Sequence, residues 1–301
     1  MINGTTKVMG VIGNPIEHSF SPVIFNAAFM AKKMDYVYVP FKVEEHNLKK
    51  AISGAKAFDI KGLNVTIPYK QKVINELDKF DIMINLIGAV NTIDFNDGIA
   101  KGYNTDCVGI IRSIEEVSDL KNKNVVIVGA GGAARAITFQ LAIKKVNNLI
   151  IINRNSKKAK LLIHDIKTFL STDFTDNSKL DDITIDFPYT DLNFDFGGLN
   201  DLKKSLSNAD ILIDTTPIGM YPNIDDIPIA TDDIMHSDLI VNDIVYNPIE
   251  TSLLKEGRKV NATCISGIKM LIYQGAENFK IWTGEEAPID IMEKAALEIM
   301  N

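Results

Sequence analysis

The chain has few of the residues that staple or metallate small proteins. Only two of its 301 residues are cysteines, Cys107 and Cys264, and no CxxC spacing links them. A disulfide framework is therefore excluded as the basis of the fold, and a reducing compartment is indicated. The four histidines, His18, His46, His164 and His236, are scattered without an HExxH or an i, i+4 pair, so no metal site is expected. Positive charge is not in excess. The formal net charge is −7 and the pI is about 5.2, which argues against nucleic-acid or membrane-surface binding. No apolar run reaches the roughly 18 residues of a spanning helix. The start, MINGTTKVMGVIG, lacks the charged head and apolar stretch of a secretory signal. A cytoplasmic protein is expected, with no nucleic acid and no membrane as partner.

What is present is a globular composition, 46% hydrophobic and 24% charged, over a length suited to two domains. Strand-like and helix-like segments alternate from the first residues. KVMGVIG (7–13) is an apolar run, and PVIFNAAFMAKKM (22–34) has helical spacing. Pro22 suits a first helical position, with Ser21 before it as a cap. YVYVPFKV (36–43) reads as a strand and EEHNLKKAIS (44–53) as a helix closed by Gly54. GLNVTIPYK (62–70) is a strand ended by Pro68, in which alternation puts Asn64 and Thr66 on one face and Val65 and Ile67 on the packed one. A helix through KVINELDKF (72–80) is expected next. AVNTIDF, the turn NDG (96–98) and IAKGYN then make a hairpin.

A second alternating block follows: a helix over 109–117, VVIVGAGGAARAITFQLAI (125–143), LIIINR (149–154), ADILIDTTPIGM (209–220) and DLIVNDIVYNP (238–248). The pattern predicts two α/β domains with mainly parallel sheets. The first comprises 1–105 with the helical 267–301 folding back on it, and the second comprises 106–266. The Asp- and Asn-rich stretch 171–207 reads as a surface elaboration with one short strand, ITIDF.

VVIVGAGGAA puts a glycine-rich turn after an aliphatic strand and before a helix. Gly129 permits the tight turn and Gly131 a close backbone approach to a pyrophosphate. The helix start offers free N–H groups to phosphates. Ala130, Gly132, Ala133 and Ala134 complete the turn, with Ala134 in the place of the third glycine. At the end of the next strand, where an NAD reader carries an acidic residue, stand Asn153, Arg154 and Asn155, then Lys157 and Lys158. A guanidinium clamps a 2′-phosphate that a carboxylate would repel, so NADP(H) is preferred and NAD(H) possible.

Small polar side chains gather where the apolar runs of the first block end. HSFSP offers Ser19 and Ser21 before a helix, as caps or as an anion site. NVTIPYK offers Asn64, Thr66 and Lys70, AVNT offers Asn91, and GYNTD offers Asp106. Singly, each reads as structural at least as well as functional.

Together, GNPIEHSFSP, NVTIPYK, GAVNT, NTD, GAGGAARA, NR, VYNP and GIKMLIYQGA, in that order over residues 8–283, resemble the shikimate dehydrogenase family. The resemblance implies reversible NADPH-dependent reduction of 3-dehydroshikimate to shikimate, a step of aromatic amino-acid biosynthesis. It implies Lys70 and Asp106 as the catalytic pair and Ser19 and Ser21 as ligands of the substrate carboxylate. Thr66, Asn91, Asp106, Tyr246 and Gln274 would line the hydroxyl pocket. Gly129 to Ala134, Asn153, Arg154, Asn155 and Lys158 match cofactor positions, with Ile244 and Gly267 near the nicotinamide. KGYNTD, VYNP and QGAENFKIWTG look closer to the quinate/shikimate branch, in which NAD is also used. Lys269 departs from a glycine that many members carry. A monomer or homodimer is expected.

Lysine suits the chemistry because reducing a ketone builds negative charge on its oxygen, which an ammonium both stabilises and protonates. Two other classes compete. A non-catalytic NADP(H)-binding regulator would have no use for Lys70 with Asp106. A methylene-tetrahydrofolate dehydrogenase would share the glycine turn but not HSFSP or NTD.

Overall fold

Aliphatic runs that a parallel sheet can bury on both faces account for most of the strands. The computed structural model describes residues 2–80, 82–171 and 192–300. The chain divides into two compact units, Met1–Asp106 with Ile272–Asn301, and Cys107–Leu271.

The first unit contains β1 (Lys7–Gly13), α1 (Ser21–Ala31), β2 (Tyr36–Lys42), α2 (Leu48–Ala57), β3 (Gly62–Val65), β4 (Lys79–Phe80), α3 (Ile82–Ile87), β5 (Thr92–Asn96) and β6 (Ile99–Tyr103), after which α4 (Asp106–Glu115) begins. Its sheet runs β2-β1-β3-β5-β6-β4. β1 lies parallel to β2 and β3, and β4 parallel to β6; β5 is antiparallel to both of its neighbours. The NDG hairpin forms as expected. Asp97 and Gly98 take φ of 51° and 75°, the left-handed pair that a two-residue turn requires to match strand twist.

The second unit contains β7 (Asn124–Val128), α5 (Gly132–Ile143), β8 (Asn148–Ile152), α6 (Ser156–Leu170), β9 (Asn193–Gly197), α7 (Leu202–Leu206), β10 (Ile211–Asp214), β11 (Ile240–Asp243), α8 (Ser252–Lys259) and β12 (Thr263–Ile265). All pairs are parallel, in the order β12-β11-β10-β7-β8-β9. This is the doubly wound dinucleotide-binding topology, whose strand order reverses between β7 and β10. α9 (Gly267–Thr283) and α10 (Ile289–Met300) end the chain. The unit boundary falls inside α9, so residues 267–271 sort with the second unit. Among the described residues no helix is long and apolar enough to cross a membrane.

Several local expectations are corrected. Gly54 does not close a helix: α2 continues to Ala57, Phe58 N–H bonds Gly54 O, and Asp59 at φ 54° makes the stop. Residues 72–80 are not one helix. A 3₁₀ turn over Lys72–Glu76 gives way to β4 because Asp78 pairs with Ala100 through both its backbone N–H and its carboxylate. α4 starts at Asp106 rather than 109, since Asn104 Oδ1 takes the Asp106 N–H. Ser21 is the first helical residue of α1 and makes no capping bond.

β3 ends at Val65, so the two-residue alternation no longer governs Ile67, which is 67% exposed. In the stretch 171–207, ITIDF lies outside the described residues. β9 and α7 are regular structure that its polar composition hid. β9 carries Phe194 and Phe196 at strand spacing, each under a lysine, Lys167 and Lys160.

Candidate active site

Lys70 is placed by the residue before it. Tyr69 is buried at the end of the turn that follows β3; its hydroxyl donates to Val43 O and its N–H to Thr66 O. Val90 N–H then holds Lys70 O at 2.7 Å. With its backbone fixed, Lys70 extends a half-buried Nζ to Asp106 Oδ2 at 2.7 Å. Asp106 stands in the first turn of α4, where the helix dipole favours a carboxylate.

Behind this ion pair lies a buried polar network within the first unit. Asn91 Nδ2 donates to Asp106 Oδ1 at 2.7 Å, while Asn91 Oδ1 accepts the Thr105 N–H at 2.9 Å. The backbone donor thereby fixes which way the Asn91 amide faces. Asn278 Oδ1 accepts from Thr92 Oγ1 at 2.7 Å and Thr105 Oγ1 at 2.8 Å, and its Nδ2 donates to Gln274 Oε1 at 3.2 Å. Gln274 Oε1 is also 3.4 Å from Asn91 Nδ2. Hydrogen bonds thus bring together four expected residues: Lys70, Asp106, Asn91 and Gln274.

Asn64 belongs to the same network, facing inward and not to a ligand. It accepts from the Tyr38 hydroxyl at 2.7 Å and donates to Asn91 O and Thr92 Oγ1. Burial pushes the Tyr38 phenol well above its ordinary value, with a Ser21 contact opposing that rise, so Tyr38 serves as a neutral donor. Ser19 and Thr66 are half-buried just before α1 and just after β3, and Ser21, the first residue of α1, touches the network through the Tyr38 hydroxyl. Sequence reasoning missed Tyr38, Thr92, Thr105 and Asn278. The signal for Asn278 was its four-residue spacing from Gln274, which sets the two amides on one helix face.

In the second unit, β7 ends at the glycine turn. Gly129 has φ 119°, and a Cβ there would lie 2.1 Å from Thr215 Oγ1, so the position accepts only glycine without strain. Gly131 and Gly132 are exposed, and a Cβ on either would meet open space. Ala130 and Ala133 are half-buried, and Ala134 packs inside. The first N–H groups of α5 follow Gly131 at the strand-order reversal, where such sheets bind ligands at the carboxyl ends of their strands.

At the end of β8, Asn155 caps α6 by accepting the Lys157 N–H, and Asn153 Nδ2 donates to Asn155 O. Arg154, Lys157 and Lys158 are exposed, and among the described residues their side chains make no ion pair. Ile244 and Tyr246 are half-buried after β11, and burial raises the Tyr246 phenol. Gly267 is pressed on that segment, since a Cβ would lie 2.4 Å from Ile244 O. Lys269 pairs with Glu116 at 3.6 Å. The open glycine turn, the helix start after it and the exposed basic residues fit a phosphorylated dinucleotide.

Comparison with known proteins agrees with both units. Residues 11–93 match a family model described as the shikimate dehydrogenase substrate binding domain. Residues 112–185 match shikimate / quinate 5-dehydrogenase, and 267–297 the shikimate 5'-dehydrogenase C-terminal domain. A shikimate dehydrogenase (NADP(+)) of Methanobrevibacter smithii is 54% identical over 301 residues, covering 100% of both chains. A solved shikimate dehydrogenase in complex with NADP+ is 49% identical with TM-score 0.88, covering 100% of this chain and 98% of that one. The shikimate 5-dehydrogenase of Listeria monocytogenes, solved with shikimate and NAD, is 33% identical with TM-score 0.85, covering 97% of each chain.

Proposed function

The chain belongs to the shikimate dehydrogenase family, and from that premise we propose that it catalyses the reversible NADPH-dependent reduction of 3-dehydroshikimate to shikimate. The observation that carries the reading is the Lys70–Asp106 ion pair at 2.7 Å, backed by Asn91. A protein that only bound the dinucleotide would need no proton donor. The first unit is the substrate domain and the second the dinucleotide domain.

NADPH supplies the hydride when it is bound. Gly129 to Ala134 and the start of α5 receive its pyrophosphate, and Arg154 and Lys158 its 2′-phosphate. Asn153 and Asn155 shape the turn that presents Arg154. Ile244 and Gly267 line the nicotinamide end. Ser19 and Ser21 hold the substrate carboxylate, and Thr66, Asn91, Tyr246 and Gln274 its hydroxyls.

Lys70 donates a proton from Nζ to the ketone oxygen as negative charge develops there. The carbonyl becomes an alcohol, and Lys70 recovers its proton from water. Asp106 keeps the ammonium on that line and neutralises it before the substrate arrives. In the oxidative direction neutral Lys70 takes the hydroxyl proton.

Substituting Lys70→Ala is expected to lower kcat by roughly 10²-fold or more, the scale of general acid–base catalysis, with the fold retained. Near-wild-type turnover would remove Lys70 from the reaction. A second reading, use of quinate beside shikimate and of NAD beside NADP, draws on the shikimate / quinate description matched over 112–185. Comparing kcat/KM for the two substrates with each cofactor separates the readings. The proposal extends to a cytoplasmic enzyme acting as a monomer or homodimer, which sedimentation of the purified chain would resolve.

A further inference from the structure

Two buried carboxyl groups of the second unit take no part in the reaction described above. Asp214 and Asp243 end β10 and β11 and are partners in the parallel register, so their side chains leave the same face of strands about 4.8 Å apart. Their exposures are 1% and 0%. Among the described residues no lysine, arginine or histidine bonds either one. Thr216 N–H donates to Asp214 Oδ1 at 2.8 Å, Val245 N–H to Asp243 Oδ1 at 2.9 Å, and Thr251 Oγ1 to Asp243 Oδ2 at 2.6 Å.

Among the described residues, the neighbouring elements bring no cation into bonding contact with either carboxyl. β7 supplies Asn124 and aliphatic residues, and β12 the thiol Cys264. On α8, Lys255, Arg258 and Lys259 are exposed, and Glu256 is bonded to Lys259. Two ionised carboxylates on register partners in a dry interior repel, and such pairs favour holding one proton between them. Burial, reinforced by Asp243, pushes Asp214 up to about 7. Burial pushes Asp243 up to about 6, against the Thr251 and Val245 bonds.

The segments these groups hold are the ones assigned to the cofactor. Asp243 holds Val245, and Ile244 N–H donates to Asp214 O at 3.1 Å. Thr215 N–H donates to Val128 O at 2.9 Å, and its side chain fills the space beside Gly129. Gly267 closes on the Ile244 carbonyl from the other side. A movement at either aspartate is therefore passed both to the glycine turn and to Ile244–Tyr246.

We propose that Asp214 and Asp243 are positioning residues that share one proton, with the Asp214 O–H donating to Asp243, and so hold residues 215–216 and 244–246 in place for the nicotinamide end of the cofactor. The assignment of those segments to the cofactor rests on the proposed function. The shared proton itself does not.

The test compares the wild-type chain with Asp214→Asn, an uncharged mimic of the protonated acid. Two readouts are used: thermal unfolding of the cofactor-free chain from pH 4 to 8, and NADPH binding by fluorescence from pH 7 to 9. A folded carboxyl that keeps its proton longer than the unfolded one loses stability as pH rises between the two values. The wild-type Tm, relative to that of Asp214→Asn, is thus expected to fall from about pH 4 to about pH 7 and then level. Wild-type affinity for NADPH is expected to weaken roughly tenfold between pH 7 and 9, within the usual range of coupling between linked sites, and that of Asp214→Asn to stay flat. Should Asp214→Asn fail to fold, Asp243→Asn replaces it with the same expectations. Equal stability slopes in variant and wild type would overturn the shared proton, and equal slopes of NADPH affinity would overturn the positioning role. A wild-type chain that shows the stability slope yet binds no NADPH would overturn the functional reading, and with it the positioning of cofactor segments.

Discussion

Replacing Asn278 with leucine tests whether the buried network, and not the ion pair alone, sets the geometry at Lys70. Asn278 is fully buried, and its Oδ1 is the acceptor for two hydroxyl protons, those of Thr92 and Thr105. Leucine keeps the branching and heavy-atom count of asparagine with bulkier methyl groups, so no cavity is left and any added cost is overpacking. The alternative acceptor is Asn91 Oδ1, 3.0 Å from Thr92 Oγ1 and 3.3 Å from Thr105 Oγ1, which already takes the Thr105 N–H. An amide oxygen has two lone pairs, so one hydroxyl re-aims and the other is stranded. A stranded buried hydroxyl costs about 1–3 kcal/mol, and the lost bond to Gln274 about 0.5–1.5 kcal/mol. The expected destabilisation is about 2–4 kcal/mol, read by urea unfolding of the cofactor-free chain with an unchanged m-value.

Adding Thr105→Val removes the stranded donor. The double variant should therefore regain about 1 kcal/mol relative to simple addition of the two single effects, as coupled neighbours do. The added load on Asn91 also disturbs its bond to Asp106, so kcat should drop roughly tenfold with a smaller change in KM, in keeping with the cost of misplaced catalytic groups. A single-variant loss below about 0.5 kcal/mol, or strict additivity in the double variant, would refute the network argument.

The cofactor assignments have their own tests. Arg154→Ala should raise KM for NADPH roughly tenfold or more, the loss of a charge-assisted phosphate contact, and leave KM for NADH nearly unchanged; equal effects would mean that Arg154 does not read the 2′-phosphate. Gly129→Ala forces a side chain into φ 119° and against Thr215, and should cost about 2 kcal/mol or more of stability. Gly131→Ala meets open space and should leave stability within about 0.5 kcal/mol, yet weaken NADPH binding in a fluorescence titration. Loss of stability in Gly131→Ala, or unchanged cofactor binding, would contradict the assigned role of the turn.

Where local chemistry decides the outcome, the sequence could be read directly. The aliphatic run at 125–128, the glycine turn after it and the basic residues at 154–158 are each contiguous, and so they were legible as a strand, a tight turn and an exposed basic cluster. The NDG turn was legible for the same reason, because positive φ at two consecutive residues is a local demand. Ile67 was misread because alternation holds only while the ladder lasts, and β3 stops two residues earlier. Residues 72–80 were misread as a helix because Asp78 is captured by Ala100, a partner distant in sequence.

The candidate site divides along the same line. Lys70 and Asp106 were marked by the resemblance of NVTIPYK and NTD to the family's motifs, since singly each residue reads as structural at least as well as functional. That Asn91 faces Asp106, and that Asn64 turns inward, were decided by acceptors and donors contributed from β2, β3, β5, α4 and α9. Asp214 and Asp243 lie 29 residues apart in a sequence that reveals nothing of their pairing. Only the parallel register of β10 and β11 makes them neighbours, and only burial raises both above the ordinary carboxylate range.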